Sequence, residues 1–162
     1  MKLFFHSKPA FSVVILLSMV VLSTGCSNKK ERVMAEDTYV FENSDWNFDD
    51  KFVSFNLDIA DVSSPCKIIL EVEKEDYLDI DMLQLIITIT SPEGGESQRR
   101  VNLLFNEEGK ENSKTVSVEA YRKKYFTSPG KYNFRIYRKY EKFNLYGIKS
   151  LTVKVVKLPE EA

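Results

Sequence analysis

Histidine is almost missing from this chain of 162 residues, which contains a single one, His6. His6 lies in an N-terminal segment with the features of a cleaved secretory signal, so the mature part would contain none. Ser-His and Cys-His nucleophiles need an imidazole, and zinc sites usually include one. We therefore expect a protein that is not an enzyme, with no cofactor and no metal site. A catalytic site of carboxylates or lysine is the alternative left open.

Cysteine is also scarce, with two residues, Cys26 and Cys66. If Cys26 carries a lipid, Cys66 is the only thiol, and an intramolecular disulfide is excluded even in an oxidising compartment. Cys66 follows Pro65 at the start of an apolar segment. We expect it to be a buried, unreactive thiol.

No apolar run is long enough to span a bilayer. The segment Phe11–Leu22 is almost wholly apolar, but it has about 12 residues, whereas a membrane-spanning helix needs roughly 20. Lys2 and Lys8 give the chain a basic start, and Leu22-Ser23-Thr24-Gly25-Cys26 follows the apolar run. This is the layout of a bacterial lipoprotein signal, except that the leucine stands one place further from the cysteine than usual.

The signal predicts the organisation of the chain. We expect residues 1–25 to be removed, Cys26 to be lipidated and to tie the protein to a membrane, and residues 26–37 to form a flexible tether. Residues 38–158 then form a single domain, large enough for its own core, and 159–162 form a tail. The mature part has 21 basic and 24 acidic residues, too near neutral to indicate a nucleic-acid partner.

Polarity alternates with a period of two from Thr38 onward, which is the period of a β-strand. Apolar residues in Val53–Ile59, for example, alternate with polar ones. Turn-forming residues at Ser91–Glu96 and Thr127–Gly130 separate such segments. The sequence predicts an all-β fold: an antiparallel two-sheet β-sandwich, Ig-like or jelly-roll-like, of about seven or eight strands, beginning with a short strand over Thr38–Phe41.

Several fragments, taken in order, resemble one family. Trp46 and Asp50 precede Phe52-Val53-Ser54-Phe55, and an apolar strand ends in Thr90-Ser91-Pro92-Glu93-Gly94. Two further fragments follow, Ser128-Pro129-Gly130-Lys131-Tyr132-Asn133-Phe134-Arg135-Ile136 and Leu145-Tyr146-Gly147-Ile148-Lys149-Ser150-Leu151. With the lipoprotein signal, their order and spacing are similar to the GldH family of gliding-motility lipoproteins from Bacteroidota. The chain departs from the family at residues 77–83 and 106–124.

The resemblance implies a non-catalytic outer-membrane lipoprotein that serves as an accessory module of an envelope machine for gliding or its linked secretion. An envelope protein is then the expected partner. Surface-exposed lipoproteins of this phylum usually have an acidic run after the lipidated cysteine, where this chain has Ser27-Asn28-Lys29-Lys30. We therefore expect the protein on the periplasmic face of the outer membrane.

Three carboxylates, Asp76, Asp79 and Asp81, lie in one short segment, with Glu73 and Glu75 upstream. Carboxylate oxygens are calcium ligands, but no glycine provides the sharp turn of an EF-hand-like loop, and apolar residues interrupt the set. A solvated acidic loop is the favoured interpretation. A calcium site and a contact surface for a basic partner are the alternatives.

Basic residues are concentrated near the C-terminus. From Tyr121 to Lys157 there are eleven Lys or Arg and a single acid, Glu141. One side of the strand predicted near residues 131–140 is basic and aromatic, suited to an acidic protein, lipopolysaccharide or a glycan. The candidate partner-binding residues are Arg122, Lys123, Lys124, Arg135, Tyr137 and Lys139. The alternative is that this strand pairs with an acidic strand and the charges offset each other.

Two functions therefore follow from the sequence. The leading hypothesis is the non-catalytic, lipid-anchored interaction module. The alternative is a small carbohydrate-binding lipoprotein of the envelope, which predicts that at least two tyrosines lie exposed and coplanar in one groove. The tyrosines concerned are Tyr121, Tyr125, Tyr137, Tyr140 and Tyr146.

Overall fold

The computed structural model describes residues 31–105, 113–139 and 143–159. In these ranges the chain forms ten β-strands and one short 3-10 turn, Glu42–Ser44, and the predicted all-β fold is confirmed. The strands are β1 Arg32–Val40, β2 Asp45–Trp46, β3 Phe52–Ile59, β4 Cys66–Lys74, β5 Met82–Thr90, β6 Glu96–Leu104, β7 Thr115–Lys124, β8 Gly130–Arg138, β9 Leu145–Tyr146 and β10 Ile148–Lys157.

Two four-stranded antiparallel sheets form the sandwich. Sheet 1 has the order β1-β10-β4-β7 and sheet 2 the order β3-β8-β5-β6, while β2 and β9 form a two-residue ribbon. Among the eight long strands the first pairs with the eighth, the second with the seventh, the third with the sixth and the fourth with the fifth. This nested pairing, folded over into two sheets, is the jelly roll, so the structure decides between the two predicted sandwich types.

The core forms where the period-two pattern predicts it. Buried and exposed side chains alternate along β3, and its buried members lie opposite buried members of β8. Val53 faces Ile136 and Phe55 faces Phe134, all four almost completely excluded from solvent. Burial of such apolar side chains is the main source of stability, roughly 25 cal/mol for each Å² removed from water.

The first strand is longer than the sequence predicts. Residues 32–37, predicted as part of a flexible tether, already belong to β1, so the tether prediction is wrong for them. Most β1 side chains are exposed, because β1 is an edge strand held by backbone hydrogen bonds to β10. A search for alternating apolar residues therefore misses it. The predicted signal, the predicted lipidation site Cys26 and residues 160–162 lie outside the described residues.

The strand register gives the sandwich two distinct ends. We call the end at which β1 begins the proximal end; Arg32, Lys157, Cys66 and Lys124 lie there as successive cross-strand partners. The opposite end, where β1 stops at Val40, is the distal end. The chain thus enters the domain proximally and crosses its full length in the first strand.

Aromatic residues close the core at both ends. At the distal end Trp46 is completely buried, stacks on Phe41 at 4.9 Å and donates from Nε1 to the carbonyl of Asp50 at 3.3 Å. At the proximal end the Tyr132 hydroxyl donates to the carbonyl of Ser128 at 2.8 Å, a link of the tyrosine-corner kind known from other sandwiches. The sandwich is therefore sealed from solvent beyond its strand ends.

Trp46 provides a test of this arrangement. Trp46→Ala is expected to lower the free energy of unfolding by about 3–5 kcal/mol, because it leaves a large cavity under the ribbon. Phe48→Ala, two residues away and half exposed, is expected to cost at most about 1 kcal/mol. Urea unfolding of the mature chain carrying Cys26→Ser measures both. Equal losses in the two variants would contradict the buried position of Trp46.

Candidate interaction surface

The predicted basic face on β8 is largely occupied by contacts within the domain. Because β8 lies between β3 and β5, its outward side chains have neighbours on both sides. Arg135 binds Glu96 at 2.7 Å and lies over the ring of Phe52, which also contacts Tyr137 at 5.3 Å between ring centroids. Of the candidates on or beside this strand, only Lys139 is exposed.

The basic residues of β10 are neutralised by acids of the preceding part of the chain. Three lysines form ion pairs across or beside sheet 1: Lys149 with Glu73 at 3.1 Å, Lys154 with Glu71 at 2.9 Å, and Lys157 with Asp61 at 2.5 Å. The hydrogen bond to Glu73 raises the pKa of Lys149, and the hydrogen bond from Lys157 holds the pKa of Asp61 well below its usual range. The charges of β10 are thus offset by acids on or beside sheet 1, although surface pairs of this kind contribute little to stability.

A second basic group lies where the edges of the two sheets meet. Lys124, at the end of β7, donates from Nζ to the hydroxyl of Ser97 on β6 at 3.0 Å and lies 5.0 Å from the ring centroid of Tyr121. Arg99 of β6 lies 5.3 Å from the same ring. Burial lowers the pKa of Lys124. We call this group, Arg99, Arg122, Lys123 and Lys124 around Tyr121, the basic seam.

Arg99 was not among the candidates from the sequence. It lies on the same side of β6 as Val101 and Leu103, whose side chains point into the sandwich. Arg99 is nevertheless exposed, because β6 is an edge strand. An inward charge on an edge strand is a known device against edge-to-edge aggregation. The sequence signal for Arg99 is thus a charged residue at a position where the alternation of β6 predicts an inward side chain. Its contact with Tyr121 of β7 depends on the fold and is not evident from the sequence.

The acidic segment lies at the distal end, in the connection from β4 to β5. Asp76, Asp79 and Asp81 are exposed. Upstream, Glu73 pairs with Lys149 and Glu75 accepts a hydrogen bond from the Ser44 hydroxyl at 3.0 Å. Within the ranges that the structure describes, no three His, Cys, Asp or Glu side chains are grouped so that they could hold a metal ion.

A groove of about 580 Å³ lies between this segment and the ribbon. Its lining residues are Asp79, Ile80, Asp81, Met82, Leu83, Arg138, Phe143, Asn144 and Leu145. Arg138 is buried and stands over the ring of Trp46 at 5.9 Å, which ties the groove to the sealed distal core. A concave, largely apolar site with a few polar groups is the usual form of a binding surface.

Four large, exposed aromatic side chains lie at the distal end, at or near this groove. Phe48, Tyr77, Phe143 and Tyr146 are between 49% and 78% exposed, and we call them the distal aromatic rim. Asn144 joins the segments that carry them: its Oδ1 accepts from the backbone N–H of Phe48, and its Nδ2 donates to Asp45. Exposed aromatic groups gathered on one end are typical of protein contact surfaces.

The four described tyrosines of the carbohydrate-binding alternative do not share a groove. Tyr121 lies in the basic seam, Tyr125 at the proximal end, Tyr137 on the outer face of sheet 2 and Tyr146 at the distal end. Tyr140 lies outside the described residues. Among the four that are described, none forms a ring contact with another.

The fold and the rim define a class: a small jelly-roll domain with distinct chemistry at its two ends. A family model described as GldH lipoprotein matches residues 33–155, more than half of the chain. The chain therefore belongs to the GldH lipoprotein family, as its fragments predict. Among curated proteins, none matches it. No helix in the described ranges has the length and apolar character needed to cross a membrane.

Cys66 behaves as a core residue. It is fully buried, its Sγ lies 3.4 Å from Sδ of Met34, and burial raises the pKa of its thiol. In the mature chain carrying Cys26→Ser, we expect no reaction of Cys66 with a thiol reagent until urea unfolds the protein, because the thiolate is both rare and shielded.

The matched control for Cys66 is Ser63→Cys, at an exposed position of the same loop. It should add one thiol that reacts in the native state. Equal native reaction rates at positions 63 and 66 would show that Cys66 is accessible.

The Asp61–Lys157 pair predicts a pH dependence. Because the folded-state pKa of Asp61 lies below its unfolded value, the pair contributes stability at neutral pH and loses it as the pH falls through the folded pKa. Asp61→Asn should therefore flatten the loss of stability below about pH 4. Urea midpoints measured across acid pH test this, with Asp79→Asn as the exposed control. If Asp61→Asn lost stability at acid pH as steeply as the wild type does, the pairing of Asp61 with Lys157 would be contradicted.

Proposed function

We propose that the protein is a non-catalytic outer-membrane lipoprotein, acylated at Cys26 and facing the periplasm, that acts as an accessory interaction module of an envelope machine for gliding or secretion. Membership of the GldH lipoprotein family supports this proposal. The lipoprotein signal, with small residues directly before Cys26, supports the site of attachment. The lack of histidine after residue 6 argues against imidazole-dependent catalysis.

The observation that carries the proposal is the direction of β1. Only six residues lead from Cys26 to Arg32, a reach of at most about 20 Å. From Arg32 the strand crosses the domain, about 27 Å, to Val40. A chain anchored at Cys26 is therefore held by its proximal end, and the distal aromatic rim lies on the side turned away from the membrane, where a partner reaches it.

The chemistry of the distal end indicates the kind of partner. The rim offers apolar contact area, and the exposed carboxylates of Asp76, Asp79 and Asp81 stand beside it. An envelope protein with an apolar segment flanked by basic residues would be complementary to both features. The carbohydrate-binding alternative is less well supported, because the described tyrosines are dispersed over the domain.

The proposal predicts that the rim is needed for partner capture. In the native organism, Phe143→Ala with Tyr146→Ala should lower recovery of the partner about tenfold or more, because aromatic hot spots contribute about 2 kcal/mol or more. The measurement is cross-linking followed by gentle detergent extraction and affinity capture of the tagged, lipidated chain. Tyr125→Ala, which removes a side chain 61% exposed at the proximal end, is the matched control and should retain the partner.

Two outcomes would contradict the proposal. A wild-type protein that is recovered alone after cross-linking would argue against an interaction module, and a rim variant that keeps its partner in full would place the contact elsewhere. In fractionation with a high-salt wash, Cys26→Ser should move the protein from the membrane to the soluble fraction, and a variant that stays in the membrane would contradict acylation of that residue.

A further inference from the structure

We infer that the proximal end is itself a membrane-contacting surface, in which the basic seam binds the phosphates of anionic lipid headgroups. The inference rests on the proposed attachment at Cys26 for its orientation, since the seam meets the bilayer only if the domain is held by that end.

The first step is the position of the seam. Lys124 is the cross-strand partner of Cys66, Cys66 of Lys157, and Lys157 of Arg32, where the chain enters the domain. Neighbouring strands are about 4.8 Å apart, so the end of β7 lies only about 15 Å across the sheet from the start of β1. The tether and the seam thus share one end of the molecule.

The second step is the charge of Arg99 and Lys124, two seam cations that no carboxylate of the described residues neutralises. Three other cations near this end have carboxylate partners: Lys67 pairs with Glu31, Lys157 with Asp61 and Arg135 with Glu96. Within the described residues, neither Arg99 nor Lys124 has a carboxylate within 4.0 Å. Arg122 lies 3.8 Å from Glu119, its closest acid.

The two seam cations also share one aromatic ring. Arg99 and Lys124 both lie within 5.3 Å of the centre of Tyr121, so they are at most about 10 Å apart. Two like charges at this separation repel each other, and an anion between them would relieve the repulsion. Lys124 is half buried and loses part of its hydration at this site, which the same anion would offset.

The third step is a receptacle beside the cations. A hollow of about 190 Å³ adjoins Lys124, and its lining includes the hydroxyl-bearing residues Ser91, Ser97 and Thr127 beside apolar ones such as Ile89 and Phe126. Hydroxyls and an ammonium group are suitable donors for phosphate oxygens. Glu96 lines the hollow as well, but its carboxylate is occupied by Arg135.

An exposed aromatic residue completes the surface. Tyr125 follows Lys124 directly, lines the same hollow and is 61% exposed. Tyrosine is enriched where protein meets lipid headgroups, because its ring is apolar and its hydroxyl is polar. The combination of cations, hydroxyl donors and an exposed tyrosine is the chemistry of a lipid-headgroup contact rather than of a protein contact alone.

The test uses the mature chain with Cys26→Ser, so that binding does not depend on the acyl groups. In flotation assays it should bind vesicles of phosphatidylglycerol and phosphatidylcholine at low salt, bind phosphatidylcholine vesicles weakly, and be released as salt is raised. Arg99→Gln with Lys124→Gln should weaken binding about thirtyfold, the expected effect of two lost surface charges.

The matched control is Lys51→Gln with Lys139→Gln, two exposed cations at the distal end, which should bind as the wild type does. Because Lys124 is half buried, a second variant, Arg99→Gln with Arg122→Gln, changes only exposed cations and should also weaken binding. Circular dichroism and urea midpoints establish that each variant is folded.

Equal binding by the seam and control variants, or equal binding to both kinds of vesicle, would overturn the inference. Competition by inorganic phosphate below millimolar concentration would assign the seam to a soluble anion and overturn it too. If the protein does not bind vesicles but its membrane fractionation still depends on Cys26, the inference about the seam fails and the proposed function stands. If the protein binds vesicles through the seam but its membrane fractionation does not depend on Cys26, the lipid anchor is contradicted and the inference about the seam stands.

Discussion

β10 occupies the middle of sheet 1, and the order of that sheet depends on it. It is hydrogen-bonded to β1 on one side and to β4 on the other, and most of its side chains are buried. The ion pairs that Lys149 and Lys154 make with β4 neutralise two of the three lysines of this strand within the sheet. Without β10, β1 would have no hydrogen-bonded neighbour among the described strands.

The sandwich separates stability from recognition. Its stability comes from the apolar interior and the aromatic seals around Trp46 and Tyr132, whereas its exposed chemistry lies at the strand ends. The distal end presents apolar rings and carboxylates, and the proximal end presents cations and hydroxyls. Loops at strand ends tolerate change without disturbing a core, which fits the departure of residues 77–83 from the family pattern.

Local patterns in the sequence predicted the features that depend on neighbouring residues alone, such as strands and buried positions. The alternation of polarity located most of the long strands, because one face of each is buried, and a proline-flanked Cys66 at a strand start is indeed a core thiol. What the sequence did not reveal depends on pairing between distant segments. β1 has no apolar face, the choice of a jelly roll depends on which strands pair, and Glu73 and Lys149 are neighbours only through register. The distal aromatic rim likewise collects residues from three separate connections.

The position of β10 has a consequence for how the domain is made. Of the ten described strands, β10 is the last to leave the ribosome. Until then β1 and β4 have no common neighbour, and the backbone groups of both are open to unwanted pairing. Contacts of such long sequence separation also form slowly. Sheet 1 is therefore incomplete, and its unpaired strand edges need protection against aggregation, until this ten-residue strand has been made.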